Sequence, residues 1–351
     1  MTGPHRIELA PGYWISRLIV GGWQLSAGHR TDARGAEDAV ERLVELADLG
    51  FDTFDCADIY TGVEELLGRF LGRWRTTSGG SRSIRIHTKL VPDLRALPGV
   101  DRPYVEGIVD RSLRRLGVEA LDLVQFYWWD FEVGDWLEAV RCLADLQRAG
   151  KVRHIGATNF TASEIGTMER EVGVKVVSDQ VQYSALDHRP EAGLADHCLG
   201  TGKRLLCYGA LAGGFLTEPW RGVPEPGGMP GNRSLIKYRL IIDEFGGWHA
   251  YQSLLDELSV IGKEKGVDPA AVALRYVLDR PAVAAAVVGF SSGDRMRANL
   301  RAVEVELTED DTARIRRHYA RAPGPSGEVF GLERDRDGPH GRIMRYDLNA
   351  E

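Results

Sequence analysis

Along this chain, short apolar runs alternate with longer stretches in which apolar residues return every third or fourth position. A strand covered on both faces leaves the first pattern and a helix with one buried face leaves the second. Runs at 17–22, 51–54, 84–89, 121–126, 152–157, 176–181, 204–208 and 284–288 predict eight strands. Residues 6–18, around Pro11-Gly12, predict a β-hairpin ahead of them. Between the strands, Ala36, Ala39, Val40, Leu43, Val44 and Ala47 share one helical face that Gly50 closes. A shorter helix is expected at 63–71, followed by a polar linker at 76–82. Pro103 opens the next helix, whose stripe is Val105, Ile108, Val109, Leu113 and Leu116, and Gly117 ends it. Asp135 with Glu138 resembles a capping box for a helix running to Gly150. Further helices are expected at 161–170, 190–200, 249–265, 269–279, from Asp294, and at 308–321. A Gly/Pro-rich loop over 212–247 and a tail over 322–351, expected to pack on the body of the protein, complete the chain.

Strands alternating with helices make parallel β/α units. Eight such units within 351 residues predict an α/β fold, a (β/α)8 TIM barrel, as one domain over 1–351. The barrel proper spans about 17–305, with a C-terminal helix and tail over 306–351.

Composition changes this picture little. An apolar fraction of 43%, a charged fraction of 27% and a formal charge of −7 describe an ordinary globular protein and argue against nucleic acid or an anionic membrane as partner. Cys56, Cys142, Cys198 and Cys207 lack metal-ligand spacing and are expected as buried, reduced thiols in a cytoplasmic protein, with no metal site. The N-terminus lacks a signal-peptide pattern, and the longest apolar run, near 282–288, is too short to span a bilayer.

The chemistry gathers around 51–60. Asp55 closes an apolar strand, Tyr60 follows five residues later, and Lys89 closes the next strand. A buried carboxylate asks for a cation, and parallel neighbours bring both strand ends to one face. A lysine between a carboxylate and a phenol is expected to lower the phenol's pKa and make it a usable proton donor. The same residues also fit a structural ion pair beside a loop tyrosine. In a barrel, however, strand C-termini are where active sites lie.

Gly50-Phe-Asp-Thr-Phe-Asp-Cys-Ala-Asp-Ile-Tyr60 with Glu64-Glu-Leu-Leu-Gly68, His87-Thr-Lys89, Gly156-Ala-Thr-Asn-Phe160, Gln180-Val-Gln-Tyr183, Tyr208-Gly-Ala-Leu-Ala-Gly-Gly214 and the segment from Val288 to Asn299 occur in order at strand ends. Together they resemble the aldo-keto reductase family over about residues 15–320. The resemblance implies an NADPH-dependent oxidoreductase acting on a small-molecule carbonyl compound. In it Tyr60 is the proton donor, Lys89 depresses the pKa of Tyr60, and Asp55 pairs with Lys89. Thr158, Asn159 and Gln180 would hold the nicotinamide carboxamide, and Tyr208 would stack on the ring. The resemblance also implies that Gly22, Gly209 and Leu211 contact the cofactor. Ser291, Ser292, Arg295 and Asn299 would hold the 2′-phosphate and adenine, and Gly289 stands near the place of a common family lysine.

One motif departs from the family. Leu121-Asp-Leu-Val-Gln-Phe-Tyr-Trp-Trp129 puts Tyr127 where the family carries an active-site histidine. A tyrosine is bulkier and neutral at physiological pH but still donates one hydrogen bond. His87 lies on the same strand face as Lys89, either as a substitute imidazole or as a satisfied interior histidine. Trp23, Trp128 and Trp129, with Trp248 as a further candidate, are expected to wall a substrate pocket for a fairly large apolar or specialised carbonyl compound. A C=C reductase, a proton-shuffling enzyme and a cofactor-binding regulatory subunit remain the competing readings, and the oligomeric state is open.

Overall fold

The computed structural model describes residues 5–26, 35–77, 83–228, 232–290, 292–322 and 324–349. An antiparallel hairpin, β1 (Arg6–Ala10) and β2 (Tyr13–Ser16), comes first. Eight parallel strands follow: β3 (Leu18–Gly21), β4 (Thr53–Asp55), β5 (Arg85–Leu90), β6 (Leu121–Phe126), β7 (Val152–Thr158), β8 (Val176–Gln182), β9 (Arg204–Tyr208) and β10 (Val283–Gly289). They pair in chain order, and β10 pairs with β3 to close the barrel. The helices are α1 (Ala36–Asp48), α2 (Val63–Thr77), α3 (Arg102–Leu116), α4 (Trp136–Arg148), α5 (Ala162–Val172), α6 (Leu194–Gly200), α7 (Arg233–Glu244), α8 (Gly247–Lys265), α9 (Pro269–Leu278), α10 (Gly293–Glu304), α11 (Glu309–Arg321), α12 (Gly331–Arg334) and α13 (Pro339–Arg342). The expected (β/α)8 TIM barrel is the architecture observed.

The two ends of the barrel are used differently. At the N-terminal end the hairpin acts as a floor: Leu9, Tyr13 and Ile15 pack on Ile19, Leu123, Val177 and Leu206 inside the barrel. Ser16 Oγ donates to Asp52 at 2.6 Å, which ties the hairpin exit to β4. A cavity lies at the opposite, C-terminal end. Helix starts are set by local chemistry, as the side chains of Asp101 and Asp135 accept from Tyr104 N and Glu138 N. Thr161–Glu164 and Thr308–Asp311 form reciprocal capping boxes for α5 and α11.

Two expectations need correction. Helix α2 runs to Thr77 rather than ending at 71. Trp74 lies one turn beyond Phe70 and Leu71 on the buried face, and Arg69 and Arg73 both pair with Glu37 of α1, so the outwardly polar turn is held on both sides. The stretch 212–247 is not a plain loop either. It contains α7, which Asn232 caps by accepting from Ser234 N, and which buries Ile241 and Ile242.

The tail packs across the barrel's C-terminal mouth. Tyr346 O accepts from Leu94 N at 2.8 Å, and Asp93 Oδ1 accepts from Leu348 N and Asn349 N, both at 2.9 Å. Glu333 reaches Arg189 at 2.9 Å with both side chains buried. Cys56, Cys142, Cys198 and Cys207 are buried free thiols. Among the described residues no helix is long and apolar enough to cross a membrane, and no group of three or more His, Cys, Asp or Glu could hold a metal ion.

Candidate active site

Strand register brings the site together. Gly21 of β3 pairs with Asp55 of β4, Asp55 with His87 of β5, and Lys89 with Gln125 of β6. Lys89 therefore lies one inward position beyond His87, at the mouth, and its Nζ donates to Asp55 Oδ2 at 2.6 Å and to Cys56 O at 2.8 Å. Asp55 Oδ1 accepts from Gln125 Nε2 at 2.9 Å and from Gln180 Nε2 at 2.6 Å, and Gln180 Nε2 also donates to Gln125 Oε1 at 2.9 Å. Both oxygens of the buried carboxylate are thus occupied, which fixes the ammonium in one place. The Lys89 ammonium sits 5.1 Å from the centroid of the Tyr60 ring. Tyr60 lies in the turn between β4 and α2, where its N–H donates to Ala57 O and its carbonyl accepts from Val63 N.

The electrostatics correct one expectation. Burial raises the Tyr60 pKa, and Lys89, although it pulls downward, does not overcome that, so the phenol titrates above the ordinary 10.0. Burial also pulls the Lys89 ammonium down, but Asp55 and then Tyr60 oppose it, and the net direction is upward. The pair at neutral pH is a charged ammonium beside a fully protonated phenol. Burial lowers His87 to about 4, so its imidazole is neutral, and its Nε2 lies 3.0 Å from Tyr13 OH of the floor. His87 lies in the interior and does not line the cavity, but it is not fully satisfied, since its Nδ1 is buried with no partner among the described residues.

A cavity of about 1180 Å³ runs across the mouth from Tyr60, Lys89 and Tyr127 to Arg295 and Asn299. It is lined along the way by Thr158, Asn159, Gln180, Tyr208, Gly209, Leu211 and Gly289. Asn159 has φ of 59°, a left-handed conformation that costs a non-glycine residue about 1–3 kcal/mol and is concentrated at functional sites. It is held there because its N–H donates to Gln180 O at 3.0 Å and its Oδ1 accepts from Tyr208 OH at 2.9 Å. Gly209 is required twice over, by φ of +74° and because a Cβ would come within 2.6 Å of Tyr238 OH from α7. Gly22 does not line the cavity; its neighbour Gly21 does. Gly22 donates its N–H to Asp55 O at 2.7 Å, and a Cβ there would meet Asp55 O and Val63 Cγ1, both at 2.9 Å. Its part is close approach of β3 to β4. Ser291 lies outside the described residues, while Ser292 lines the far end and accepts from Arg295 N as the cap of α10.

Tyr127 follows β6, buried to 4% exposure, edge-on to Trp129 at 4.8 Å and to Phe330 at 5.9 Å between ring centroids. Its hydroxyl is buried with no hydrogen-bond partner among the described residues. A buried unsatisfied hydroxyl costs about 1–3 kcal/mol, and Tyr127 is among the residues that line a ligand-sized cavity. Trp23 and Trp129 line that cavity, and Trp23 meets the Tyr60 ring edge-on at 4.9 Å. Trp128 does not: it is fully buried, stacked on Phe126, with Nε1 donating to Val133 O at 3.0 Å. Between Tyr127 and Trp129 the backbone turns the middle ring away from the mouth. Trp248 packs instead on Phe215 and Trp220 and donates to Val223 O.

Sequence reading missed Gln125, a fully buried polar residue of β6 that donates to Asp55. It also missed Lys237 and Tyr238 of α7, and Phe330, Ile343, Met344 and Leu348 of the tail, all of which line the cavity. Nothing local marks these, since they arrive from far along the chain.

Residues 17–320 match the Aldo/keto reductase family. "Protein tas" of Escherichia coli K12 is 27% identical over 312 residues, covering 79% of this chain and 88% of its own. The structure of the glycerol dehydrogenase from Gluconobacter oxydans superposes with a TM-score of 0.76 at 23% identity, covering 92% of this chain and 97% of its own. A Bombyx mori aldo-keto reductase in complex with NADP gives a TM-score of 0.68 at 18% identity, with coverages of 91% and 94%. At these identities the solved structures speak for the fold alone.

Proposed function

Since the chain belongs to the aldo/keto reductase family, an oxidoreductase family, we propose that it reduces the carbonyl of a small molecule to an alcohol with NADPH, with Tyr60 as the proton donor. The observation that carries this reading is that the ring centre of a protonated Tyr60 lies 5.1 Å from the Asp55-held Lys89 ammonium, both lining one cavity with Tyr127, whose hydroxyl has no partner among the described residues.

The residues present fit a nicotinamide dinucleotide. Thr158 Oγ1 is buried without a partner at the cavity wall. Both amide donations of Gln180 go to Asp55 and Gln125, which leaves its carbonyl oxygen as what it offers a carboxamide. The half-buried Tyr208 ring lies between these and the turn at Gly209 and Leu211, and exposed Arg295 lies at the far end beside Asn299. These residues would hold, in order, the nicotinamide, the pyrophosphate and the adenosine with its 2′-phosphate. The bound cofactor supplies the hydride.

The chain's own residues handle the oxygen. Tyr60 donates a hydrogen bond to the carbonyl oxygen and releases its proton there as charge develops. The phenolate left behind is stabilised by the adjacent Lys89 ammonium, whose position Asp55 fixes, and is reprotonated from solvent. Tyr127 offers the second donor to the same oxygen, in the role the family gives to histidine. Trp23, Trp129 and Phe330 exclude water and receive the apolar part of the substrate. Phenol in place of imidazole suits a fairly large substrate held by apolar walls and few directed bonds.

Two measurements test this reading. Fluorescence titration should show Arg295→Ala binding NADPH about 10–100-fold more weakly, the size of a charge-assisted contact to phosphate, with NADH affected little. Equal losses for both would remove Arg295 from the phosphate. The second compares Tyr127→Phe and Tyr127→His on the preferred substrate and on small aldehydes. Both variants should lose about tenfold or more in kcat/KM on the preferred substrate, one directed hydrogen bond being worth about that. If Tyr127→Phe matched wild type, the hydroxyl would be idle and the ring only a wall.

A further inference from the structure

Lys237 on α7 has a setting that a purely structural lysine does not need. Its Nζ lies 4.9 Å from the Tyr208 ring centroid, 5.5 Å from that of Phe330 and 5.9 Å from that of Tyr238, and the side chain is 17% exposed, into the cavity. Aromatic faces hold a cation in place without neutralising it. Its carboxylate neighbours are Glu333, a loose ion pair at 3.7 Å, and Asp187, which acts on it only through space. Both are already engaged: Arg189 donates to Glu333 Oε2 at 2.9 Å and Oε1 at 3.4 Å, and also holds Asp187 at 2.7 Å. An ammonium there only to pair with Glu333 would be expected to close to about 2.7–2.9 Å.

The other charges facing this end of the cavity do not answer Lys237 either. Asp55 belongs to Lys89, and Arg334 lies over the Phe131 and Phe330 rings and donates to Trp128 O and Asn159 O. Arg233 and Arg345 add further cations to the lining. Phe330 touches both Tyr127 and Lys237, so the ammonium stands one aromatic ring away from the unpartnered hydroxyl. Burial pulls the Lys237 pKa downward, partly offset by Glu333, which reports a charge held short of solvation.

We propose that Lys237 recognises a carboxylate on the substrate, so that the site selects oxo compounds with an apolar body and one carboxylate set back from the reacting carbonyl. This rests on the cavity being the carbonyl-reducing site. A carboxylate entering beside Lys237 takes up the ammonium's unused donors and sets its own distance from Tyr60 and Tyr127, which orients the carbonyl.

The test uses 4-formylbenzoate and its methyl ester with wild type, Lys237→Met and Lys237→Arg, together with benzoate binding by calorimetry in the presence of NADP+. Wild type should favour the acid over the ester, and Lys237→Met should lose about tenfold or more on the acid with the ester changed by less than about twofold. Lys237→Arg should keep most of the preference, and benzoate affinity should fall with Lys237→Met alone. Equal losses on acid and ester would overturn the proposal. So would an altered NADP+ to NADPH affinity ratio in Lys237→Met with acid preference intact, because the charge would then be addressed to the cofactor. Lys237-dependent benzoate binding in a protein that reduces neither compound would sustain the anion site and remove the reductase reading. Unchanged benzoate binding in a Lys237→Met protein that turns over normally would do the reverse.

Discussion

Replacing Tyr60 by Phe is expected to lower kcat/KM about 10²–10⁴-fold, the contribution of a positioned general acid, while the dissociation constant for NADPH changes little. The phenol's hydrogen bond strengthens only as the carbonyl oxygen becomes an alkoxide, so its loss falls on the transition state and spares ground-state binding. The electrostatics sharpen the expectation. Burial holds the Tyr60 pKa above 10.0 even with Lys89 pulling it down, so the donor keeps its proton throughout the physiological range and its own ionisation should give no loss of activity below about pH 10. Steady-state kinetics on the preferred substrate and fluorescence titration with NADPH separate the two effects. A Tyr60→Phe protein retaining most of its rate would move proton donation elsewhere, with Tyr127 the next phenol in the same cavity.

Replacing Lys89 by Met is expected to have the largest combined effect, abolishing turnover and destabilising the fold by about 3–5 kcal/mol, the cost of stranding one member of a buried ion pair. Lys89 and Asp55 are 5% and 3% exposed, so solvent cannot take over the missing charge. Gln125 and Gln180 would still donate to Asp55 Oδ1, but Oδ2 would face methionine, and the carbonyl of Cys56 would lose its donor. The double variant Asp55→Asn/Lys89→Met removes both charges and keeps an oxygen for the two amides. It should recover a large part of the stability and none of the activity. Denaturant midpoints of the single and double variants measure the coupling. A Lys89→Met protein as stable as wild type would show that the pair is not the strut of this end of the barrel.

Much of this molecule is determined locally along the chain. Buried parallel strands need continuous apolar runs, and the helices between them need one apolar face, so the barrel is written in the alternation of the two patterns. All eight barrel strands appear where that alternation puts them. Asp55, Tyr60 and Lys89 were legible because each stands at or just after a strand's C-terminal end, and parallel pairing carries strand ends to one face. Helix limits were legible where a cap marks them, as at Asp135 and Thr308. They were not where a helix carries on under a polar surface, as α2 does beyond Leu71 to bury Trp74.

What the tertiary structure alone decided is which side chains share a volume. Three aromatic residues in a row after β6 look alike in the chain; it is the turn there that sends Tyr127 and Trp129 to the mouth and buries Trp128 against Phe126. Gln125 entered the site through register with Lys89, and Gln180 through the reach of its amide to Asp55 across the barrel. Lys237 and Tyr238 come from α7 and Phe330 from the tail, far from the motifs in sequence; Lys237 lies over the Tyr208 and Phe330 rings, and the Arg189–Glu333 pair ties the tail to the barrel. The direction of the Tyr60 pKa was likewise out of reach of sequence. Residue types name the charges near a phenol, but the balance between a neighbouring ammonium and the loss of water depends on burial, and burial is a property of the folded chain.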